Sequence, residues 1–371
     1  MPLYLNEDQT MLRDTARDFM AEQGAIATQL RQWRDTGCTD GFGTALWKQF
    51  AEMGFTGILI EEADGGLGLG HVEAGIVLEE IGRNLTPSPF LTTAVGFVEA
   101  VKGTTHAARW YPGILAGEMV AALAIDEGAK HRPETIAMRA ERSGNGFKLS
   151  GAKQFVVQGT AADVTLVAAR TDEGLTLFAV EKGAAGLEVE GVRLADSSIG
   201  ARLTFADVAV DADAVVGEVG GGEAVLSRVL KAGRTGAAAE LVGVGTAAMD
   251  MTVDYLKQRK QFGRLIGEFQ ALQFRSAHLY SELQIARAAT LKAQQLLDEG
   301  SDNADAMVSV AKAKAGRASQ LAVQEGVQMH GGIGMTDEYD IGLYMKRDRV
   351  LNELFGDANY HADRLARLKG Y

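Results

Sequence analysis

Leu5, Gln9, Leu12 and Ala16 fall at helical spacing near the start of the chain, and Phe19 and Met20 continue the apolar side, which predicts an opening helix. Asn6 stands where its N-cap belongs, and Glu7 and Asp8 set negative charge against the positive end of the helix dipole. Segments 47–53 and 72–81 read as two more helices, with the glycine-rich run 64–70 as a loop between them. Near residue 118 the period changes. Residues 119–125 form a continuous apolar run, 163–169 and 175–180 are rich in strand formers, and 202–210 partly alternates. Gly144-Asn145-Gly146 sits where a hairpin turn would sit. Short strands in succession without helices between them predict a small antiparallel barrel or sandwich rather than a βαβ fold. From about residue 221 the helical period returns. Ala311, Ala315, Ala318 and Ala322 share a face narrow enough for two helix axes to approach closely, and Leu272, Leu279, Leu283 and Ala286 make a face on the helix before it. The expected fold is mainly α with a β middle: an N-terminal helical domain over 1–117, a β domain over 118–220 and a C-terminal helical bundle over 221–371.

Composition narrows the class. The 371 residues suffice for two or three packed units. A net charge of −12 repels phosphodiester backbones, so nucleic acid is not an expected partner, although a local basic patch can still hold a small anion. No stretch reaches the roughly 20 apolar residues that span a bilayer. The N-terminus has neither a basic start nor an apolar run, so no signal peptide is expected. Cys38 is the single cysteine, which excludes an intrachain disulfide and fits a reducing, cytoplasmic setting. No metal site is expected.

Three motifs carry candidate chemistry. Gly243-Val244-Gly245-Thr246-Ala247-Ala248 matches the G-x-G-x-x-A dinucleotide fingerprint, which needs a strand before it and a tight turn into a helix. Here it lies inside a helical segment, 230–258, so its glycines are read as points of close helix packing. Residues 259–273 read as a helix end, a glycine turn and a new helix. The cations at that turn can hold a pyrophosphate by charge-assisted hydrogen bonds, Arg259 bidentately, and Phe262 can lie against an adenine or ribose. Taken alone, the same residues also describe a solvated basic turn. In 328–338 the glycines end a helix and bring bare N–H groups to a surface suited to phosphate or a polar cofactor edge, while Gln328 can both donate and accept. A plain glycine C-cap is the alternative there, and His330 reads as structural.

With these motifs in view, the chain resembles the acyl-CoA dehydrogenase family over nearly its whole length. The R-x-x-F-G-x-x-I-x-x-F-Q run from Arg259 and the Q-x-x-G-G-x-G run from Gln328 form a joint signature. Met53-Gly54-Phe55-Thr56-Gly57, Glu61-Glu62 and Gly65-Gly66-Leu67-Gly68 match the family's N-terminal pattern, with Glu61 where proline is usual. Residues 205–210 followed by Val216-Gly217 resemble the end of its β domain, and Lys346-Arg347-Asp348-Arg349 its R-D-x-R stretch. The resemblance implies FAD held non-covalently between subunits. It implies a carboxylate that removes the α-proton of an acyl-CoA thioester, and a hydride passing from the β-carbon to the flavin. It also implies hydrogen bonds to the thioester oxygen that stabilise the developing enolate. By the same analogy Arg259 and Phe262 contact the adenosine-diphosphate half of a neighbour's FAD, with Gln270, Gln328 and Gly332 beside them.

The departures from the family pattern cluster on the flavin-ring side. Where most members carry T-E-P-x-A-G-S-D, the chain has Ile125-Asp126-Glu127-Gly128-Ala129-Lys130-His131-Arg132, without the threonine or the serine. The family's W-I-T-N-G becomes Phe155-Val156-Val157-Gln158-Gly159; the phenylalanine can still stack, but Val157 cannot hydrogen-bond a ring. The base usually lies in a Y-E-G-T stretch, which reads Phe355-Gly356-Asp357-Ala358 here, or before an arginine on the long helix, which reads Gly233-Arg234. Asp357 and Glu240 are the carboxylates left as substitute bases, and no catalytic residue is assigned. Motifs serving a neighbour's FAD survive, whereas those serving this chain's own ring do not. That is the expectation for the degenerate subunit of a heteromeric α2β2 acyl-CoA dehydrogenase, with an acyl-CoA substrate, a catalytic partner subunit and an electron-transfer flavoprotein as acceptor. A self-sufficient homotetramer, a non-catalytic scaffold and, more remotely, a flavin monooxygenase of the same fold are the alternatives.

Overall fold

A computed structural model describes residues 3–371. The chain opens with α1 (Glu7–Glu22), α2 (Leu30–Asp35), α3 (Thr44–Glu52), α4 (His71–Asn84), α5 (Val98–Val101) and α6 (His106–Leu115). Eight strands follow: β1 (Ala121–Ala124), β2 (Arg139–Ser143), β3 (Gly146–Val157), β4 (Val164–Thr171), β5 (Gly174–Glu181), β6 (Leu187–Arg193), β7 (Ile199–Val210) and β8 (Val215–Val216). The rest is helical, with α7 (Gly222–Gln258), a short pair β9 (Lys260–Gln261) and β10 (Arg264–Leu265), then α8 (Gln270–Asp298), α9 (Ala304–His330), α10 (Ile341–Glu353) and α11 (Ala358–Leu368). The helical, β, helical order is the one the periodicity predicts.

The elements gather into two compact groups. One holds the first helix, His71–Thr86 and Arg234–Tyr371. In it Asn6 accepts from the Gln9 N–H and Gln9 answers the Asn6 N–H, a capping box that starts α1. The buried side of α1, Ala16 and Met20, faces α4. Glycines let α4 and α7 cross backbone to backbone. A Cβ on Gly82 would lie 2.2 Å from the Glu240 carbonyl oxygen, and one on Gly243 would lie 2.0 Å from that of Glu79. Next along α7, a Cβ on Gly245 would come within 3.0 Å of the Ser319 Cα on α9. The dinucleotide-like glycines are therefore packing glycines, with no strand before them. On α9 the stripe Ala311, Ala315, Ala318 and Ala322 is buried, and α8, α10 and α11 all pack on that helix.

The other group holds Gln29–Gly70 and Pro87–Gly233. Its sheet runs β6-β7-β3-β2-β4-β5-β8, with β1 joined to β4. Most pairings are antiparallel as expected, but β1 pairs β4 in parallel and β2 touches β4 in parallel at Arg139↔Arg170. These parallel contacts arise because the β2–β3 hairpin and the turns after it return the chain beside β1 in its original direction. The hairpin turns at Gly144-Asn145, with Gly144 at φ 59° and Ser143 opposite Gly146. Leu149, Val156, Phe178, Leu203 and Phe205 fill the sheet's core.

Candidate functional site

Arg259 follows directly on α7, its N–H donating to the Tyr255 carbonyl at 2.9 Å. The strands β9 and β10 pair through Gln261↔Arg264, leaving Phe262 and Gly263 as a two-residue turn at φ 54° and 79°. A tight hairpin of this kind needs positive φ at both central positions, natural for glycine and uncommon for phenylalanine. The turn carries the Phe262 ring into the open, 90% exposed. Phe269, the N-cap residue of α8, meets Phe262 edge-on at 6.3 Å and lies 4.1 Å from the Arg264 guanidinium carbon. No side chain caps α8, whose exposed first residue, Gln270, stands at the positive end of a 29-residue helix. The exposed Arg259 guanidinium has no ion pair or hydrogen bond among the described residues.

At the end of α9, Gly331 adopts φ 64°, and a Cβ on Gly331 or Gly332 would meet nothing within 4 Å. Gln328 is exposed beside them. His330 turns the other way and is buried, donating from Nδ1 to the Gly326 carbonyl at 2.7 Å. Its ring stacks on Tyr255 at 4.5 Å and leans on Tyr339 at 4.8 Å. Burial holds its pKa below the usual histidine value, so it is a neutral packing group. Tyr255 precedes Arg259 by one helical turn and His330 follows Gln328 by two residues. The stack therefore brings the two motifs to one end of the bundle. Neither tyrosine was singled out from the sequence; the only available signal was an aromatic residue at i−4 from a motif arginine.

The β-domain segments that depart from the family pattern satisfy their own polar groups. Lys153 is fully buried; its Nζ donates to the Ile125 carbonyl at 3.0 Å and to Glu127 Oε1 at 2.8 Å. Glu127 also accepts from the N–H groups of Ala137 and Met138, at 2.8 and 3.0 Å. Hydrogen bonds from Lys153 and those two amides lower its pKa, outweighing its partial burial. Asp126 holds His131 Nδ1 at 2.8 Å, and its carbonyl accepts from the Gln154 N–H at 2.8 Å. Phe155 stands at φ 55° where the β3–β7 register shifts between Lys153 and Val156. Val157 is buried.

Gly233 and Gly356, where the resemblance places a base, lack a side chain, and Glu240 and Asp357 are each engaged elsewhere. Glu240 is 1% exposed and accepts from Arg347 Nε at 2.8 Å and Nη2 at 2.6 Å. Asp357 caps α11, taking the N–H groups of Asn359 and Tyr360 at 3.0 and 2.8 Å. The turn before it rests on buried donors. Lys312 Nζ reaches the carbonyls of Leu351, Asn352 and Gly356 at 2.9, 3.2 and 3.0 Å. Burial pushes Lys312 down to about 7 and the neighbouring Asp348 up to about 6. Among the described residues, no group of three His, Cys, Asp or Glu side chains is set to hold a metal ion, and no helix is long and apolar enough to cross a membrane.

Known proteins share this architecture. Residues 6–118, 125–208 and 220–369 match the N-terminal, middle and C-terminal domains of acyl-CoA dehydrogenase. The mitochondrial isovaleryl-CoA dehydrogenase of Solanum tuberosum is 34% identical over 83% of this chain and 78% of that protein. The cyclohex-1-ene-1-carbonyl-CoA dehydrogenase of Geobacter metallireducens is 30% identical over 96% of each. Among solved structures, a variant of the Tcur3481-Tcur3483 steroid ACAD superposes with a TM-score of 0.90 at 30% identity, over 98% of both chains. A helical, β, helical chain that ends its bundle in these two motifs, and matches such relatives almost end to end, belongs to the acyl-CoA dehydrogenase family.

Proposed function

We propose that this chain is the lending subunit of a heteromeric acyl-CoA dehydrogenase, supplying the adenosine-diphosphate half of a flavin site to a catalytic partner in an α2β2 assembly. The contrast between two sets of motifs carries this reading. At the β9–β10 hairpin, the Arg259 guanidinium has no partner among the described residues and the Phe262 ring is 90% exposed. In the segments expected to serve a flavin ring, Lys153 and Glu127, and Asp126 and His131, are already matched to each other, and both positions expected to carry the base are glycine.

The residues present fit the adenosine-diphosphate half of FAD. Arg259 offers a bidentate fork to pyrophosphate, and the N–H groups beside Gln270 add dipole-assisted donors. Phe262 offers a flat apolar face to a nucleoside. Gln328 and the open backbone at Gly332 supply neutral polar contacts. When bound, FAD supplies the acceptor for the hydride that leaves the β-carbon of the acyl-CoA. This chain holds and orients one half of that cofactor. The proton taken from the α-carbon goes to a carboxylate of the partner, since Glu240 is locked to Arg347 and Asp357 to the α11 N-terminus. The match to a steroid ACAD designated by two paired names supports both the heteromeric assembly and a bulky acyl-CoA as substrate. An electron-transfer flavoprotein as acceptor, a cytoplasmic location and domain limits of 1–117, 118–220 and 221–371 belong to the same reading.

The test is flavin content and native mass of the purified chain, alone and co-expressed with a catalytic acyl-CoA dehydrogenase subunit. The expected result is little FAD alone and about one FAD per heterodimer with the partner. Full occupancy in a homotetramer of this chain that turns over acyl-CoA overturns the proposal.

A further inference from the structure

Gly356, which occupies the family's base position, is not simply a deletion of a side chain. It sits at φ 103°, beyond the left-handed region that other residues occasionally visit. A Cβ placed on it would lie 2.4 Å from Tyr360 Cδ1 and 3.0 Å from Cε1 and Cγ. The Tyr360 ring is held there from several sides. Its hydroxyl accepts from Arg234 Nη2 at 3.1 Å, and the guanidinium carbon lies 5.4 Å from the ring centroid. His361 meets the ring edge-on at 5.2 Å, and the Tyr360 N–H is tied to Asp357. The turn under the ring is clamped as well. Arg234 Nε and His361 Nε2 both donate to the Phe355 carbonyl, at 3.3 and 3.1 Å, while Lys312 takes that of Gly356. Phe355 itself is held at φ 59°.

Resting on the lending-subunit reading, we propose that Tyr360 is the residue that closes this chain's own base position, its ring filling the space a side chain at 356 would need. Arg234 is the positioning residue that keeps the ring in place. The catalytic asymmetry of the assembly is then set at two positions at once. Restoring a glutamate at 356 alone does not make this chain a dehydrogenase.

A double-mutant cycle on the full-length chain tests this, read by thermal unfolding and therefore independent of flavin content. Gly356→Ala is expected to lower Tm by about 3 °C or more in the parent and by clearly less in a Tyr360→Ala background, the residue being the backbone cost of φ 103°. Tyr360→Phe, which keeps the ring, should leave the full drop in place. Gly356→Glu is expected to give no turnover by the chain alone and a lower Tm. Equal drops in both backgrounds, including the case in which neither alanine variant at 356 folds, overturn the proposal. So does a stable Gly356→Glu chain that oxidises acyl-CoA unaided. The lending reading fails on a different result, the flavin content of the unaltered chain.

Discussion

Tyr255 and His330 stack with ring centroids 4.5 Å apart and planes 29° from parallel, and this contact joins the end of α7 to the end of α9. Each residue belongs to the stem of one motif: Arg259 stands one turn after Tyr255, and Gln328 two residues before His330. The stack thereby fixes the spacing between the two motif stems.

Tyr255→Ala should therefore act at a distance. Loss of the half-buried ring and its stacking costs about 2 kcal/mol, seen as a lower urea midpoint. FAD retention by the co-expressed complex should fall with it although Arg259 is untouched. Tyr255→Phe keeps the stack and should preserve both. Equal flavin loss from the alanine and phenylalanine variants would show that the hydroxyl, not the stack, matters.

Arg259→Ala should give the opposite pattern. The side chain is exposed and unengaged among the described residues, so Tm should move little. Removing a bidentate charge-assisted contact should weaken FAD retention by roughly tenfold to a hundredfold. Arg259→Lys keeps the charge but not the fork and should fall between. An unchanged FAD Kd for the alanine variant would remove this residue from the site.

Much of this was legible along the chain, for identifiable reasons. The helical spacing of Ala16 and Met20, the alanine stripe on α9 and the Gly144-Asn145 turn are local patterns, and each reports a local structure directly. The helical context of Gly243 likewise separated a packing glycine from a phosphate loop. Lys153–Glu127, Arg347–Glu240 and the Tyr360 ring over Gly356 were not legible. The first two pairs lie 26 and 107 positions apart and exist only once strands and helices are docked. The positive φ of Gly356 leaves no mark in the sequence beyond the glycine itself. The parallel pairing of β1 with β4 was missed for the same reason, since strand direction within a sheet depends on the path of the intervening chain.

Mild acid should loosen the end of the bundle where the Tyr255–His330 stack sits. Burial lowers the folded-state pKa of His330 below its ordinary 6.5. Above that value the ring is neutral folded or unfolded, and stability is unaffected. As pH falls through 6.5 the unfolded chain takes up the proton first, so its contribution is lost progressively towards the lower folded value. Tm measured from pH 7.5 to 5 should decline accordingly, and His330→Gln, which cannot titrate, should flatten the part due to this group. A variant with an undiminished slope would place the acid sensitivity elsewhere.

Glu240 separates the lending reading from a self-sufficient enzyme. Its carboxylate is 2% exposed and gripped by Arg347 at 2.8 and 2.6 Å. Glu240→Gln removes the buried member of the pair and leaves Arg347, 21% exposed, without this carboxylate, at a cost of about 2 kcal/mol. Glu240→Gln should therefore destabilise the chain, and pairing it with Arg347→Met should recover much of the loss, because both charges are then gone. Flavin per heterodimer and turnover of the refolded complex should follow stability and nothing more. A catalytic base would behave differently: Glu240→Gln would abolish turnover while the chain stayed folded and flavin-loaded, and Arg347→Met would restore none of it. Turnover and urea midpoint measured side by side on the two variants decide between these outcomes.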